Sequence, residues 1–150
     1  MNPGAAAFRP SSELNIIEKV IALEAVELLK GLNPDQLASI ASIATQVSLP
    51  AGQVILDPNK PLDALYIILD GAVDISQNDK PLTEAKQNDV LGAWALFDSD
   101  PMPVTAKTIE DTRLLRIARD DFYDLLSDHM EITAAIFSML VKRFRQLVEP

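Results

Sequence analysis

Two changes of hydrophobic period and one pattern of turns predict an α+β chain that is mainly β. Apolar residues recur at helical spacing up to Ala44, the period drops to about two at Thr45, and helical spacing returns after Ala118. Between those changes lie about eight short strands, with turn residues roughly every 6 to 12 positions, the layout of a sandwich or jelly roll. Helices at both ends of such a region make the class α+β.

Residues 1–12 contain glycine, two prolines and an alanine run and read as a flexible lead-in to a domain spanning 13–150. Ser11 or Ser12 is the expected N-cap of a first helix over 13–30, with Glu13 in its first turn. Leu14, Ile17, Val20, Ile21 and Leu28 fall on one face, with Ile16, Leu23 and Val26 beside them. Gly31 is the expected residue just past its end. A second helix over 34–44 has Asn33 as cap, Pro34 at its first position and Gln36 placed to close a capping box. Leu37, Ile40, Ala41 and Ala44 form its buried stripe.

A β roll is expected over 45–118. Val47 and Leu49 alternate with Gln46 and Ser48, Pro50-Ala51-Gly52 turns, and Val54 to Leu56 continue as a strand. After a loop at Asp57 to Pro61, Leu65 to Leu69 is a compact run ended by Asp70-Gly71, a hairpin signal leading into Ala72 to Ile75. Gln77 to Pro81 is a polar turn before Leu82 to Ala85, and Val90-Leu91 follows Asn88-Asp89. Val104 to Ile109 and Thr112 to Ile117 are two further strands about Glu110-Asp111.

The C-terminal helices are expected over 119–148. Asp120 and Asp121 occupy the first turn of one, and Phe122, Leu125 and Leu126 its apolar side. Ser127-Asp128 interrupts it, with Asp128 and Glu131 spaced as a capping box. Ile132, Ile136, Met139, Leu140, Phe144 and Leu147 form one long stripe, with Lys142, Arg143 and Arg145 near the helix end. That stripe exceeds what a terminal helix needs against its own domain, so a homodimer through this helix, or a partner domain, is expected.

Composition narrows function. The 150 residues carry 13 basic and 22 acidic side chains, a net charge of −9 that repels nucleic-acid backbones. No run approaches the roughly 20 apolar residues of a membrane helix, and the first residues lack a signal-peptide pattern. A cytoplasmic location without nucleic-acid or membrane contact is the expectation. Catalysis has little foothold: there is no cysteine, one histidine, and no Gly-x-Ser-x-Gly, Walker or His-Glu-x-x-His pattern. His129 has no second histidine or cysteine to form a metal set and reads as a surface residue. No enzyme, metal or cofactor is expected.

The stretch Val90 to Thr108, VLGAWALFDSDPMPVTAKT, reads as strand, glycine turn, short helical turn, acidic loop and strand. That order can hold a small anion, because a turn at Gly92 presents the backbone N–H groups of the helical turn beginning at Ala93. Here the sequence resembles the cyclic nucleotide-binding domains of catabolite-activator-type regulators, kinase regulatory subunits and gated channels. Their phosphate-binding cassette runs Gly-Glu-Leu-Ala-Leu, a short loop, then Pro-Arg-Ala-Ala-Thr-Val. Gly92, Ala95, Leu96, Phe97, Pro101 and Thr105 keep that frame. GLNPDQL, LPAGQVI and DALYIILDGAVDI match the family's lead helix, first turn and third-to-fourth hairpin in order and spacing, so the resemblance covers about Glu18 to Val148.

The resemblance implies an eight-stranded antiparallel jelly roll, or double-stranded β-helix, with two N-terminal helices, a short cassette helix and C-terminal helices. It also implies that any ligand would meet Gly92, Ala93, Trp94, Ala95, Met102, Pro103, Val104 and Thr105. The ligand-holding chemistry departs from the family. Ala93 replaces the glutamate that takes the ribose hydroxyl, and Met102 replaces the arginine that pairs with the cyclic phosphate. Pro103 removes a backbone N–H. Trp94 is a packing residue or, with Met102, a plug in the vacated pocket. Lys107, the nearest cation in sequence, is an odd number of positions from Met102, which on a strand points it the other way. The resulting expectation is a non-catalytic regulatory or interaction module that does not bind cAMP or cGMP. The alternative is a cyclic-nucleotide or other anionic small-ligand sensor that binds at the cassette in an altered way. A third reading is a piece of a larger membrane or repeat protein.

Overall fold

The computed structural model describes residues 14–98 and 100–148, and at Trp94 the backbone alone. The expected lead-in and its Ser11 or Ser12 cap lie outside the described residues. Helix α1 spans Ile16–Leu23 and is capped by Asn15, whose Oδ1 accepts from the Glu18 N–H at 2.8 Å while Glu18 Oε1 accepts from the Asn15 N–H at 3.2 Å. The single helix expected over 13–30 is therefore corrected at both ends. After Leu23 the chain straightens at Val26 and closes a 3₁₀ turn over Glu27–Leu29. The reason is the spacing of its apolar residues. Leu23, Val26, Leu29 and Leu32 recur every third position and are all buried, which a three-residue turn aligns and a 3.6-residue helix does not. Gly31 is no left-handed terminator; its φ is not positive, and a Cβ there would make only ordinary contact with the Ala135 carbonyl and Met139.

Helix α2, Pro34–Ala41, starts as expected: Asn33 and Gln36 exchange side-chain and backbone hydrogen bonds at 2.9 and 3.0 Å. It ends three residues short of the expected Ala44.

Eight strands follow: β1 (Thr45–Leu49), β2 (Val54–Leu56), β3 (Ala64–Asp70), β4 (Val73–Gln77), β5 (Lys80–Ala85), β6 (Val90–Leu91), β7 (Thr105–Thr108) and β8 (Thr112–Ala118). They form two four-stranded antiparallel sheets, ordered β1-β8-β3-β6 and β2-β7-β4-β5. This is the expected jelly roll, with one correction. Asp70-Gly71 is not a hairpin turn, because β3 and β4 belong to different sheets. Gly71, at φ +103, is where the chain steps from one sheet to the other. The true two-residue hairpin is Asn78-Asp79, both at positive φ, which closes β4 on β5.

Two cores result. Leu65 and Ile67 of β3, with Leu115 and Ile117 of β8, pack against the helices; Tyr66 and Ile68, with Leu114, face the other sheet. Burial on both sides explains why β3 is apolar without alternation. Gln46, expected to point outward, is buried instead, because its side-chain oxygen accepts from the Leu14 N–H at 2.9 Å as the chain approaches α1.

Helices α3 (Arg119–Asp128) and α4 (Met130–Val148) meet at His129. The expected Asp128–Glu131 capping box is not formed, since Asp128 is still helical. The His129 carbonyl accepts from Ile132 and Thr133, and Glu131 turns its carboxylate to His129 Nδ1 at 3.2 Å. Its own backbone N–H, then His129, holds the Glu131 carboxyl below its ordinary range. The apolar stripe of α4 also divides. Ile132 and Ile136 are buried in their own domain, whereas Phe144, by 63%, and Leu147 are exposed, as are Phe137, Val141 and Val148 outside the expected stripe.

Candidate functional site

The stretch from Val90 to Thr105 bridges the two sheets. It leaves through β6, paired with β3 at Tyr66 and Ile67, and enters β7, paired with β4 and β2. Gly92 is buried at φ +74, and a Cβ there would stand 3.1 Å from both the Ala64 carbonyl and the Leu62 side chain. Only glycine meets both demands. Ala93–Leu96 then forms a 3₁₀ turn in which the Ala95 N–H donates to the Gly92 carbonyl at 2.8 Å. Ala95 is buried between the sheets and Leu96 against the helices, so the turn is pinned from both cores.

The expected site residues divide between those cores. Ala93 is half-buried against the helical side. Met102 and Val104 are half-buried against the inter-sheet core, Pro103 is exposed, and Thr105 opens β7 opposite Ser76. Asp98 turns its carboxylate back on the loop, accepting from the Asp100 N–H at 3.0 Å. Lys107 is exposed and lies opposite Asp74 and Val54 in the strand register. Phe97 meets Phe122 of α3 edge to face, with ring centroids 6.3 Å apart and planes at 88°.

Met102 also borders a cavity of about 440 Å³. Residues 54–56 of β2, Leu62 and Tyr66 supply its apolar wall, and Asp57, Lys60 and Asp63 its charged side. A second cavity of about 420 Å³ shares Tyr66 and Asp63 and is closed by Thr45, Val47 and Arg116. Arg116 Nη2 stands 3.6 Å from Asp63 Oδ1. Sequence reasoning passed over Tyr66, Lys60 and Arg116. The signal for Tyr66 was present: period two places it with Ala64 and Ile68 on the inner face of β3. Nothing local to Lys60 or Arg116 marks them. His129, expected on the surface, is half-buried, and its side chain borders a further cavity with Asp121, Asp124 and Asp128. Among the described residues no three histidines, cysteines or carboxylates are grouped to hold a metal. No helix there is long and apolar enough to cross a membrane.

Two sheets bridged by a glycine turn, a one-turn helix and a proline loop, between helical ends, define a regulatory binding domain. The chain belongs to the cyclic nucleotide-binding domain family, whose model matches residues 46–129. A CRP-like cAMP-activated global transcriptional regulator of Mycobacterium tuberculosis is 27% identical over 124 residues, 79% of this chain and 55% of that protein. A cAMP-dependent protein kinase regulatory subunit of Aspergillus niger is 33% identical over 106 residues, 69% of this chain and 26% of that subunit. The chain thus spans about half the length of the first of these relatives and a quarter of the second. In fold it is similar to the N-terminal domain of a transcriptional regulator from Streptomyces coelicolor A3(2), with a TM-score of 0.78 at 22% identity over 84% of this chain and 94% of that one.

Proposed function

We propose that this chain is a non-catalytic regulatory module whose cassette does not take cAMP or cGMP and which acts through protein contacts. The observation that carries this reading is the place of Met102. It packs against the apolar inter-sheet core at the position where the family resemblance expects an arginine for the cyclic phosphate. A buried anion without a partner costs several kcal/mol, and a thioether supplies no charge-assisted bond. Ala93 offers no carboxylate to a ribose, and Pro103 offers no N–H. Loss of these groups together removes about two to four decades of affinity.

Output through α4 is supported by its exposed face. Phe137, Val141, Phe144 and Val148 are spaced by four, three and four residues, a seam that matches a second copy of the same helix. Titration with cAMP and cGMP by calorimetry tests the ligand half of the proposal. No saturable heat up to millimolar ligand is expected; micromolar binding of either nucleotide would refute it.

A further inference from the structure

We infer that the cavity between β2, Tyr66 and Met102 is a binding site for a small monocarboxylic acid with an apolar, preferably aromatic, body. The inference rests on the reading that Met102 has replaced the phosphate's cation, and it assigns the space beside it a different ligand. The volume, about 440 Å³, is that of a small-molecule site. One side of it, formed by Val54, Ile55, Leu56, Leu62 and Met102, is apolar and favours an apolar body.

The polar groups select the ligand's other end. Asp57 already accepts from the Asn59 N–H at 2.8 Å, and Asp63 faces Arg116. Each carboxylate therefore has one partner, and the neutral Asn59 N–H leaves the charge on Asp57 in place. The donors have none. Among the described residues Lys60 Nζ has no partner, and neither has the Tyr66 hydroxyl. Tyr66 is only 5% exposed, and among the described residues no fully buried side-chain polar atom lacks a partner, so its hydroxyl keeps some accessible surface. Tyr66 borders both cavities. Two unused donors, one of them cationic, beside an apolar wall call for one acceptor group with one negative charge. A phosphate dianion would meet one lysine without a partner beside Asp57 and Asp63, so a singly charged carboxylate is the better complement.

The test is titration of the 150-residue chain with naphthalene-2-carboxylate, read by amide chemical shifts and thermal melting, alongside naphthalene-2-methanol and cAMP. Saturable binding of the carboxylate is expected, with the neutral alcohol weaker by about tenfold. Tyr66→Phe and Lys60→Ala should each weaken the carboxylate by about fivefold or more, while Lys80→Ala, on exposed β5, should not. Tyr66→Phe keeps the ring, and Lys60 is exposed, so both variants should melt as the parent does. Absence of saturation at 10 mM ligand, taken as roughly the weakest specific binding worth the name, would overturn the inference. Equal affinity for parent, Tyr66→Phe and Lys60→Ala would also overturn it, because binding would then be to apolar surface elsewhere. Micromolar cAMP binding would refute the proposed function and leave the carboxylate result to be read on its own.

Discussion

A Cβ placed on Gly71 would lie 2.5 Å from Thr112 Oγ1 and 2.7 Å from the Asp111 carbonyl. The step between the sheets is therefore closed by direct contact between one strand's end and another's beginning. Thr112 is itself held there, donating to the Glu110 carbonyl at 2.9 Å. Gly71→Ala should destabilise the domain by about 2–4 kcal/mol, adding steric displacement to backbone strain at φ +103. Gly52, at φ +88 with nothing near its missing Cβ, separates the two effects. Its alanine variant should cost only about 1 kcal/mol. Urea denaturation of both variants checks this; equal losses would mean that the contact with Thr112 contributes nothing.

Arg143 of α4 reaches Glu27 at 2.6 Å, and Lys30 reaches the same carboxylate at 3.2 Å. Lys30 first, then Arg143, lowers the Glu27 pKa. A carboxylate whose folded pKa is depressed adds stability above its unfolded value, about 4.3, and loses it as pH falls through the lower folded value. The melting temperature of the parent should exceed that of Glu27→Gln at pH 6 by a few degrees at most, as for exposed pairs. The gap should close on acidification towards pH 3. A gap that stays constant would mean that the pair is idle.

Phe144 is central to the exposed seam on α4, so Phe144→Glu should convert a dimer to a monomer without lowering the melting temperature of the monomer. Sedimentation velocity across protein concentrations reads the result. A parent chain that remains monomeric at the highest concentration would reject the seam as a self-interface.

Restoring the lost cassette groups tests whether the frame around them is intact. Ala93→Glu, Met102→Arg and Pro103→Ala together should create measurable cAMP binding, and each alone should not, because groups that share one ligand couple non-additively. Ala93 and Met102 pack on different cores, so both new side chains must turn towards one ligand. If the triple variant fails and adding Trp94→Leu succeeds, Trp94 occupies the pocket. A folded quadruple variant without binding at millimolar cAMP would mean that the pocket has closed.

Much of the fold was legible because local chemistry and tertiary structure agree. Asn33-Pro34-Asp35-Gln36 carries its cap, its first-turn proline and its reciprocal bond within four residues, and the helix begins there. The misread places are those where a distant segment decides. Asp70-Gly71 has the composition of a hairpin, but Thr112 and Asp111 determine where the chain goes next. Gln46 reads as an outward polar residue until the approach to α1 covers it. The stripe on α4 reads as one face because periodicity cannot separate residues that meet their own core from those that meet none. Within the site, Gly92, Met102 and the inner face of β3 that carries Tyr66 could be found by spacing, whereas Arg116 is brought beside Tyr66 only by strand pairing and Lys60 is brought to the cavity only by the loop before β3.

The order β1-β8-β3-β6 places the last strand made in the middle of its sheet. β1 and β3 are not paired with each other; each is paired with β8, Val47 with Leu114 and Ile67 with Leu115. During synthesis at about 5–20 residues per second, both strands must therefore wait seconds with open edges for their common neighbour to emerge. A chain interrupted anywhere before Thr112 cannot assemble this sheet. It would present β1 unpaired, and β3 open along the edge that β8 covers, to the cell's chaperones and proteases.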